Sequence, residues 1–457
     1  MMLPDKRSIS LEVICDIKRG DDCAAEESAT DQSPLPFVNF FQYPPLGNMA
    51  SLDGSLKHLI SAKAQTGSMF TSFISVPYCR VKCHSCPFFK ELLPSREDQG
   101  KSLDDYVKWL LIQIKQTADT HYFDNASCAA VFLGGGTFSL LDPEQVDAVL
   151  NCFRQSFPLA PDIEITLEGN PREFSIEYVR RIKDAGVNRL SIGLQSFQED
   201  VLRRIINSPH QAQASHASLQ NALSVGFETI NVDLLYRLPG QTFELWRKDL
   251  QIAVEYGAQS LTLYAYVVHD GSASAKLINR GFLGNQPSKD TEYDWYTWSA
   301  QFLKSHGYRE RMKGNFSKSG HGQIYGRVSY LECSEIIGLG AGAYSFVNRH
   351  LFSSPKGASE YMDKVRAGTC PAVDQLSVYV TDDHLMRRYI IFNFFSSGFE
   401  RKGFHDRFGV DPLSAFPEVF TKLKEQGLLQ IDDKEIRLTE IGFQRRERVQ
   451  FEFYRKW

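Results

Sequence analysis

The sequence predicts an α/β fold: a parallel sheet that curls into a partial (β/α)6 barrel, followed by a smaller α/β accessory unit. Two observations predict the barrel. Six short β-rich runs alternate with six helical periods between residues 70 and 264, and glycine-rich or polar motifs follow the ends of those runs. Ligands of such sheets lie beyond the carboxyl ends of the strands. We therefore expect a ligand site at that edge of the sheet.

The alternating segments are short enough to be single elements of a compact domain. The predicted strands are Phe70–Val76, Ala129–Leu133, Glu164–Glu168, Leu190–Gly193, Thr229–Leu235 and Ser260–Tyr264. The predicted helices are Leu103–Ala118, Pro143–Ser156, Ile176–Ala185, Asp200–Ile206, Ala212–Val225 and Phe243–Glu255.

The flanking segments differ in composition from the alternating region. Residues 1–50 are predicted to be a partly disordered N-terminal extension, and a helix is expected over Leu52–Ala64. The predicted barrel domain therefore spans 51–347. Residues 348–457 are expected to form a separate unit with a winged-helix-like pattern. Its predicted elements are helices at Asp382–Phe392, Lys402–Phe408 and Leu413–Gln426, and a hairpin of Leu428–Ile431 and Glu435–Leu438.

The composition excludes several classes of protein. The 457 residues are 42% hydrophobic and 23% charged, with a formal net charge of -4, so there is no bulk attraction to nucleic acid or anionic lipid. No apolar run approaches the roughly 20 residues of a membrane span, and the N-terminus lacks the apolar core of a signal peptide. We expect a cytoplasmic enzyme.

Three of the nine cysteines crowd into one loop after the first predicted strand. Cys79, Cys83 and Cys86 form a C-x3-C-x2-C motif, whereas the other six are scattered singly, as ordinary thiols are. Three thiolates on a [4Fe–4S] cubane leave one iron open to a small molecule. A zinc site, with His84 as a further ligand, and structural free thiols are the alternatives. The spacing is typical of radical S-adenosylmethionine (SAM) enzymes, in which one electron from the cluster cleaves SAM to a 5′-deoxyadenosyl radical.

Further motifs, in order along the chain, resemble the oxygen-independent coproporphyrinogen III oxidase (HemN-like) family of radical SAM enzymes. The resemblance runs from about Phe73 to about Phe346 and continues more weakly to the C-terminus. The motifs are Phe132–Thr137, Ile165–Pro171, Asn188–Phe197, Asn231–Tyr236 with Leu238–Thr242, and Gly338–Ala343.

The resemblance implies a set of site residues and cofactors. The three cysteines would bind the cluster, and two SAM molecules would bind beside it. Phe73, Gly135, Gly136, Thr137 and Glu168 would contact the first SAM, Gln195 and Asp233 the second, and Val267 belongs to the same SAM-binding set. From the residues alone, a glycine run is more often a tight turn than a ligand site, and Glu168, Gln195 and Asp233 are also consistent with capping or other satisfied polar groups. An electron donor such as flavodoxin or ferredoxin is the expected protein partner.

Five departures from the family pattern indicate which branch the chain resembles. Phe88 stands where the oxidases have a fourth Cys, and Gly326–Leu331 keeps only Tyr330 of the haem-chaperone motif. Phe73 replaces a Tyr, Asn207 an Arg, and Arg237 a Gly.

What remains resembles the class C methyltransferase branch and the related anaerobic haem-degrading enzymes. The predicted reaction is transfer of a one-carbon unit to an sp2 carbon of a tetrapyrrole or conjugated natural product. The alternatives are a coproporphyrinogen oxidase-like decarboxylase and a haem-binding chaperone, for which His321, His269 and Cys333 are candidate axial ligands.

Overall fold

The computed structural model describes residues 43–44, 63–84, 86, 91–94, 99–268, 272–368, 375–376 and 380–455. Its strands are β1 (Met69–Val76), β2 (Tyr78–Cys79), β3 (Glu91–Leu92), β4 (Ser127–Gly135), β5 (Leu159–Gly169), β6 (Arg189–Gln195), β7 (Thr229–Tyr236), β8 (Ser260–Ala265), β9 (Arg309–Met312), β10 (Asn315–Ser317), β11 (Glu335–Leu339), β12 (Tyr344–Val347), β13 (His350–Ser353), β14 (Gln375–Leu376), β15 (Gly398–Glu400), β16 (Leu429–Ile431) and β17 (Glu435–Leu438).

Helices follow most of the central strands. They are α1 (Gln99–Ala118), α2 (Pro143–Ser156), α3 (Ile176–Asp184), α4 (Ala212–Val225), α5 (Phe243–Glu255), α6 (Ala273–Asn279), α7 (Lys289–Ser305), α8 (Ile324–Gly326), α9 (Ala358–Arg366), α10 (Asp382–Asn393), α11 (Arg401–Phe408), α12 (Pro412–Ala415), α13 (Pro417–Glu425), α14 (Glu440–Gln444) and α15 (Arg446–Glu452). Two short π-helical segments span Val201–Ile206 and Arg327–Leu331, and 3-10 turns span Tyr122–Asn125, Phe138–Leu140 and Pro171–Glu173.

The main sheet confirms the predicted α/β class. Its strand order is β14-β13-β12-β11-β1-β4-β5-β6-β7-β8-β10-β9, and the neighbours from β11 to β8 pair in parallel. All six predicted strands are present. The sequence did not predict β11, which adds a seventh parallel strand at the β1 edge.

The loops after the strands end at well-defined helix caps. Asp142 and Gln145 form a capping box at the start of α2, and Ser175 and Thr242 cap α3 and α5 with their side-chain oxygens. Each cap ends a strand-to-helix loop on the same edge of the sheet. The sequence motifs at the ends of β4, β5 and β7 therefore lie in loops that are anchored at both ends.

The C-terminal elements match the predicted helices and hairpin with one correction. The single helix predicted over Leu413–Gln426 is wrong: the chain forms α12 and α13, because Pro417 lacks an N–H and Phe416 before it adopts non-helical backbone angles. The strands β15, β17 and β16 form a small antiparallel sheet.

The predicted domain limits stay predictions. All of the N-terminal extension except residues 43–44, almost all of the predicted helix over 52–64, Phe88 and His269 lie outside the described residues. The limit after residue 347 falls between β12 and β13, which are hydrogen-bonded neighbours in the main sheet. None of the described helices is long and apolar enough to cross a membrane.

Candidate functional site

One face of the central strands is polar, and we call it the lumen face. It carries Glu168, Ser191, Asp233 and Tyr264, on four neighbouring strands. The register pairs Glu168 with Ser191 and Asp233 with Thr262, and paired residues of parallel strands point to the same face. The opposite face carries buried leucines, isoleucines and valines that pack with the helices. The polar side chains therefore face the interior of the curled sheet.

Asp233 is the centre of a buried hydrogen-bonded group on this face. Its carboxylate accepts hydrogen bonds from Ser191 Oγ (3.0 Å) and Asn231 Nδ2 (2.9 Å). Burial raises the pKa of Asp233, against the opposing effects of these hydrogen bonds and of the Arg189 charge. The carboxylate is thus fixed in place in a weakly polar setting.

Tyr264 lies near both carboxylates of the lumen face. The residue is 52% exposed. Burial raises its pKa well above the ordinary value, and the charges of Asp233 and Glu168 raise it further. The two carboxylates that the sequence placed at different SAM molecules therefore both act on this one ring.

The first cluster cysteine lies against the glycine run at the end of β4. Cys79 is buried, and its Sγ lies 3.3 Å from Thr137 Oγ1. A Cβ added to Gly136 would lie 2.8 Å from the carbonyl carbon of Pro77 and closer still to the Tyr78 carbonyl oxygen. The missing side chain lets the end of β4 touch the backbone just before Cys79.

The same run also approaches Glu168. A Cβ on Gly134 would lie 2.9 Å from Glu168 Oε2, and Gly135 has a φ of 104°, which favours glycine. Cys79, Thr137, the glycine run and Glu168 thus form one continuous edge, as the sequence predicts for the cluster and first-SAM side.

The other two cysteines lie toward the β6–α4 loop. Cys86 N donates to Cys83 O (3.2 Å), and His84 N donates to Ile206 O (2.9 Å) at the end of the π-helical segment. Cys83 packs against an apolar cluster that includes Ile206 and Tyr266. The cysteine loop therefore spans the space between the glycine run and the ends of β6 and β8.

The cysteine loop can be compared with a single-ion site. Among the described residues, which include the three cysteines and His84, no three His, Cys, Asp or Glu side chains are placed to hold one metal ion. The cluster assignment rests on the spacing of the three cysteines, whose thiolates would each bind a different iron of a cubane.

Gln195 ends β6 in a left-handed backbone conformation, with a φ of 65°. Its Nε2 lies 3.1 Å from where a Cβ of Gly193 would be, so the side chain lies against the backbone of Gly193. Gly193 follows Ser191 by two residues, and residues at this spacing share the lumen face. The structure thus brings Gln195 to the β6 side of the site.

Asp249 holds the loop that follows Gln195, and the sequence analysis missed it. The Asp249 carboxylate accepts hydrogen bonds from Ser196 Oγ (2.6 Å), Phe197 N (2.8 Å) and Gln198 Nε2 (3.1 Å). Burial raises the pKa of Asp249 to about 6. The signal was present, because a buried acid occupies the apolar face of α5 with Trp246 and Leu250.

The remaining predicted residues lie around this site. Phe73 stacks on Phe132 with ring centroids 5.8 Å apart, and Phe132 lies 5.3 Å from Tyr325. Val267 is 40% exposed and follows β8 by two residues. Phe73 and Phe132 are neighbours on β1 and β4, so the aromatic rings lie on the sheet side next to the glycine run.

Arg237 stands where the family has a glycine, and its side chain anchors the neighbouring loops. Its φ is 61°, the backbone conformation that suits the family's glycine. The guanidinium donates to Pro287 O (2.9 Å) and Tyr266 O (3.2 Å), and it pairs with the Glu292 carboxylate at 3.0 Å. Asn207, at the other departure, ends the π-helical segment with a φ of 55°.

The described candidates for a haem axial ligand lie apart from the site. His321 Nδ1 lies 3.0 Å from the Thr229 hydroxyl at the start of β7, opposite the strand ends that form the site. The Cys333 thiol is buried and donates to Tyr330 O (3.1 Å), and burial raises its pKa to about 11. Neither group is presented as a free ligand.

Comparison with known proteins points to the same family. Residues 73–253 match the family model of the radical SAM superfamily, and residues 380–445 match that of the HemN C-terminal domain. Heme chaperone HemW of Escherichia coli (strain K12) is 31% identical over 281 residues, 60% of this chain and 69% of that protein. Heme chaperone HemW of Bacillus subtilis is 27% identical over 376 residues, 82% of this chain and 96% of that protein.

Two further similarities bear on fold and function. The anaerobilin synthase of Escherichia coli O157:H7 is 27% identical over 299 residues, 65% of this chain and 66% of that protein. Coproporphyrinogen III oxidase (HemN) from Escherichia coli superposes with a TM-score of 0.75 at 22% identity, over 87% of this chain and 92% of that one. The latter match shows a shared fold.

Proposed function

Because this chain belongs to the HemN-like family of the radical SAM superfamily, we propose that it is an enzyme that transfers a one-carbon unit to an sp2 carbon of a tetrapyrrole, consuming two SAM molecules per product. Members of this superfamily use a [4Fe–4S] cluster and SAM. When bound, the cluster supplies one electron that cleaves SAM to a 5′-deoxyadenosyl radical.

One observation carries the proposal: the lumen face runs without a break from the cluster loop to Asp233. Thr137 touches Cys79, the glycine run touches Glu168, and Ser191 bridges the next strand to Asp233. We assign the methionine end of the first SAM to the glycine run and Glu168. We assign the second SAM to Gln195 and Asp233, with Val267 at its edge. The two molecules would then share one enclosed space.

The chain's own residues would prepare this space for radical chemistry. Asp233 is already held by two donors, so it need not reorganise when a ligand donor approaches. The rings of Phe73, Phe132 and Tyr325 provide flat apolar surface on the β1–β4 side of the lumen. Such a surface suits a conjugated macrocycle and excludes water from the radical.

The tetrapyrrole assignment draws on the names of the relatives. Heme chaperone and anaerobilin synthase both refer to tetrapyrroles. The reaction also needs one electron for each SAM cleaved, so we propose a flavodoxin or ferredoxin as donor. A reduced compartment suits the free thiols, and we therefore propose a cytoplasmic location.

The test is product analysis of the anaerobically reconstituted protein with a tetrapyrrole. We expect 5′-deoxyadenosine, S-adenosylhomocysteine and alkylated product in equal amounts. Asp233→Ala should lose S-adenosylhomocysteine and product while keeping cluster content, whereas Asp162→Ala, an exposed acid on β5, should match the parent. Formation of 5′-deoxyadenosine without S-adenosylhomocysteine would replace methyl transfer with decarboxylation or another hydrogen abstraction.

A second candidate function is haem binding without turnover, as a chaperone. The relative that shares 31% identity with this chain carries that name. Haem titration separates the two functions. A shifted Soret band at micromolar haem, with no consumption of SAM in the presence of a reductant, would favour the chaperone.

A further inference from the structure

We infer that Tyr266 is a positioning residue for the iron–sulfur cluster, acting with Ser274 on the backbone of the cysteine loop. The inference depends only on the cluster, which the family shares, and not on methyl transfer or on the tetrapyrrole. The structural observation is a group of three oxygen atoms between the loop and the segment that follows β8.

The acceptor is the carbonyl oxygen of His84, between the second and third cluster cysteines. Tyr266 Oη and Ser274 Oγ each lie 3.3 Å from this oxygen, and the two hydroxyls lie 2.7 Å from each other. Each hydroxyl carries one proton. One of them can therefore donate to His84 O while the other donates to its partner hydroxyl.

The same peptide segment is held from the other side. His84 N donates to Ile206 O at 2.9 Å, and Cys83 packs with Ile206 and Tyr266 in one apolar cluster. Tyr266 and Ser274 are buried. The backbone of His84 is thus held between the end of the π-helical segment and the side chains of Tyr266 and Ser274.

Tyr266 is itself fixed at its backbone. Its N–H donates to Tyr236 O at 2.9 Å, and its carbonyl accepts from Arg237 Nη1 (3.2 Å) and Gln286 Nε2 (2.6 Å). Val267, which we assign to the SAM site, is the next residue. Tyr266 therefore connects the cysteine loop to the wall of the lumen. Through its hydroxyl, a movement of the wall can shift the cysteine loop.

A weakened cysteine loop is expected only when both hydroxyls are removed. Because either one can serve His84 O alone, Tyr266→Phe or Ser274→Ala leaves the acceptor with a donor. The double variant leaves it with neither, and a partly buried carbonyl that loses both donors raises the free energy of the folded loop. The Phe ring keeps the packing on Cys83, so folding is preserved.

The test measures the cluster in the absence of substrate. Holoprotein variants are exposed anaerobically to an iron chelator, and the rate of iron release, the midpoint potential and the spectrum of the reduced cluster are recorded. We expect each single variant to release iron less than about twofold faster and the double variant roughly tenfold faster, with a shifted potential. Tyr308→Phe, which removes a buried hydroxyl that donates to Ala258 O, should match the parent.

Three results would overturn the inference: a double variant that behaves like the parent, a double effect equal to the sum of small single effects, or the same acceleration in Tyr308→Phe. Since neither tetrapyrrole nor product enters the measurement, failure of the proposed methyl transfer leaves the test intact.

Discussion

On the β4–β5 side of the site, backbones meet closely because side chains are missing, whereas on the β6–β8 side polar side chains hold residues in left-handed backbone conformations. There is no room for a Cβ at Gly134, which lies against Glu168, or at Gly136, which lies against the backbone before Cys79. Gln195 and Arg237 instead adopt φ values of 65° and 61° without being glycine. The first side is thus set by missing side chains, and the second by polar side chains that anchor the loops.

Departures from the family pattern occur on both sides. Phe73 lies on β1 beside the glycine run, although that run and the cysteine spacing follow the pattern, and Asn207 and Arg237 lie on the β6–β8 side. We expect the two sides to respond differently to substitution. Changes at the glycine run on the first side should remove the cluster site, whereas changes at Asp249 and Arg237 on the second side should leave the cluster in place and alter stability or the second ligand site.

The largest effect is expected for Gly136→Ala. Its Cβ would overlap the backbone of Pro77 and Tyr78, which cannot move without displacing Cys79. We expect loss of the bound cluster, measured as iron and sulfide per chain, and destabilisation by about 3 kcal/mol. At Gly100 in α1, no atom lies within 4 Å of an added Cβ. The Gly100→Ala protein should therefore bind the cluster normally, and its unfolding free energy should rise by up to about 1 kcal/mol. A Gly136→Ala protein with full iron content would contradict the account.

A smaller effect, dependent on pH, is expected from Asp249 on the second side. Its folded-state pKa of about 6 lies above the ordinary value of 3.8, so the folded protein favours the protonated form. The stabilisation that Asp249 provides by binding a proton more tightly in the folded state is fully present below about pH 4, and it is lost as the pH rises through 6. Asp249→Asn stays neutral, and its Oδ1 can still accept from Phe197 N.

The unfolding free energy of Asp249→Asn relative to the parent should therefore rise by about 2–3 kcal/mol between pH 4 and pH 7, as measured by urea denaturation. Asp162→Asn, at an exposed position on β5, should follow the parent curve at every pH. Parallel curves for the parent and Asp249→Asn would show that the folded protein does not perturb this carboxyl group.

On the first side, the sequence predicted most of the residues and their proximity. On the second side, it predicted the polar site residues but not the groups that hold their loops. The strands β4 and β5 are short apolar runs between helices, and their glycines and Glu168 follow at once along the chain, so position alone places them together. Gln195 and Asp233 were predicted for the same reason. The groups that hold the loop after Gln195 and the cysteine loop were not predicted, because the Asp249 carboxylate and the Tyr266 hydroxyl act on segments about 50 and 180 residues away.

Two errors of the fold prediction have different physical origins. The strand β11 pairs with β1, about 265 residues earlier in the chain, and no local pattern carries that pairing. The break between α12 and α13 is different, since Pro417 marks it in the sequence and helical periodicity on both sides concealed it.

The smallest effect separates the backbone of Arg237 from its side chain. Arg237→Gly and Arg237→Ala both lose the bonds to Pro287 O and Tyr266 O and the pair with Glu292. Only Ala must keep the left-handed conformation at a cost of about 1 kcal/mol. We therefore expect Arg237→Ala to unfold at lower urea than Arg237→Gly. At the exposed helical Lys248 the order should reverse, because Gly destabilises a helix by about 1 kcal/mol relative to Ala. If Ala were the more stable residue at both positions, the backbone on the second side would be relaxed, and the contrast with the glycine-built side would lose its basis.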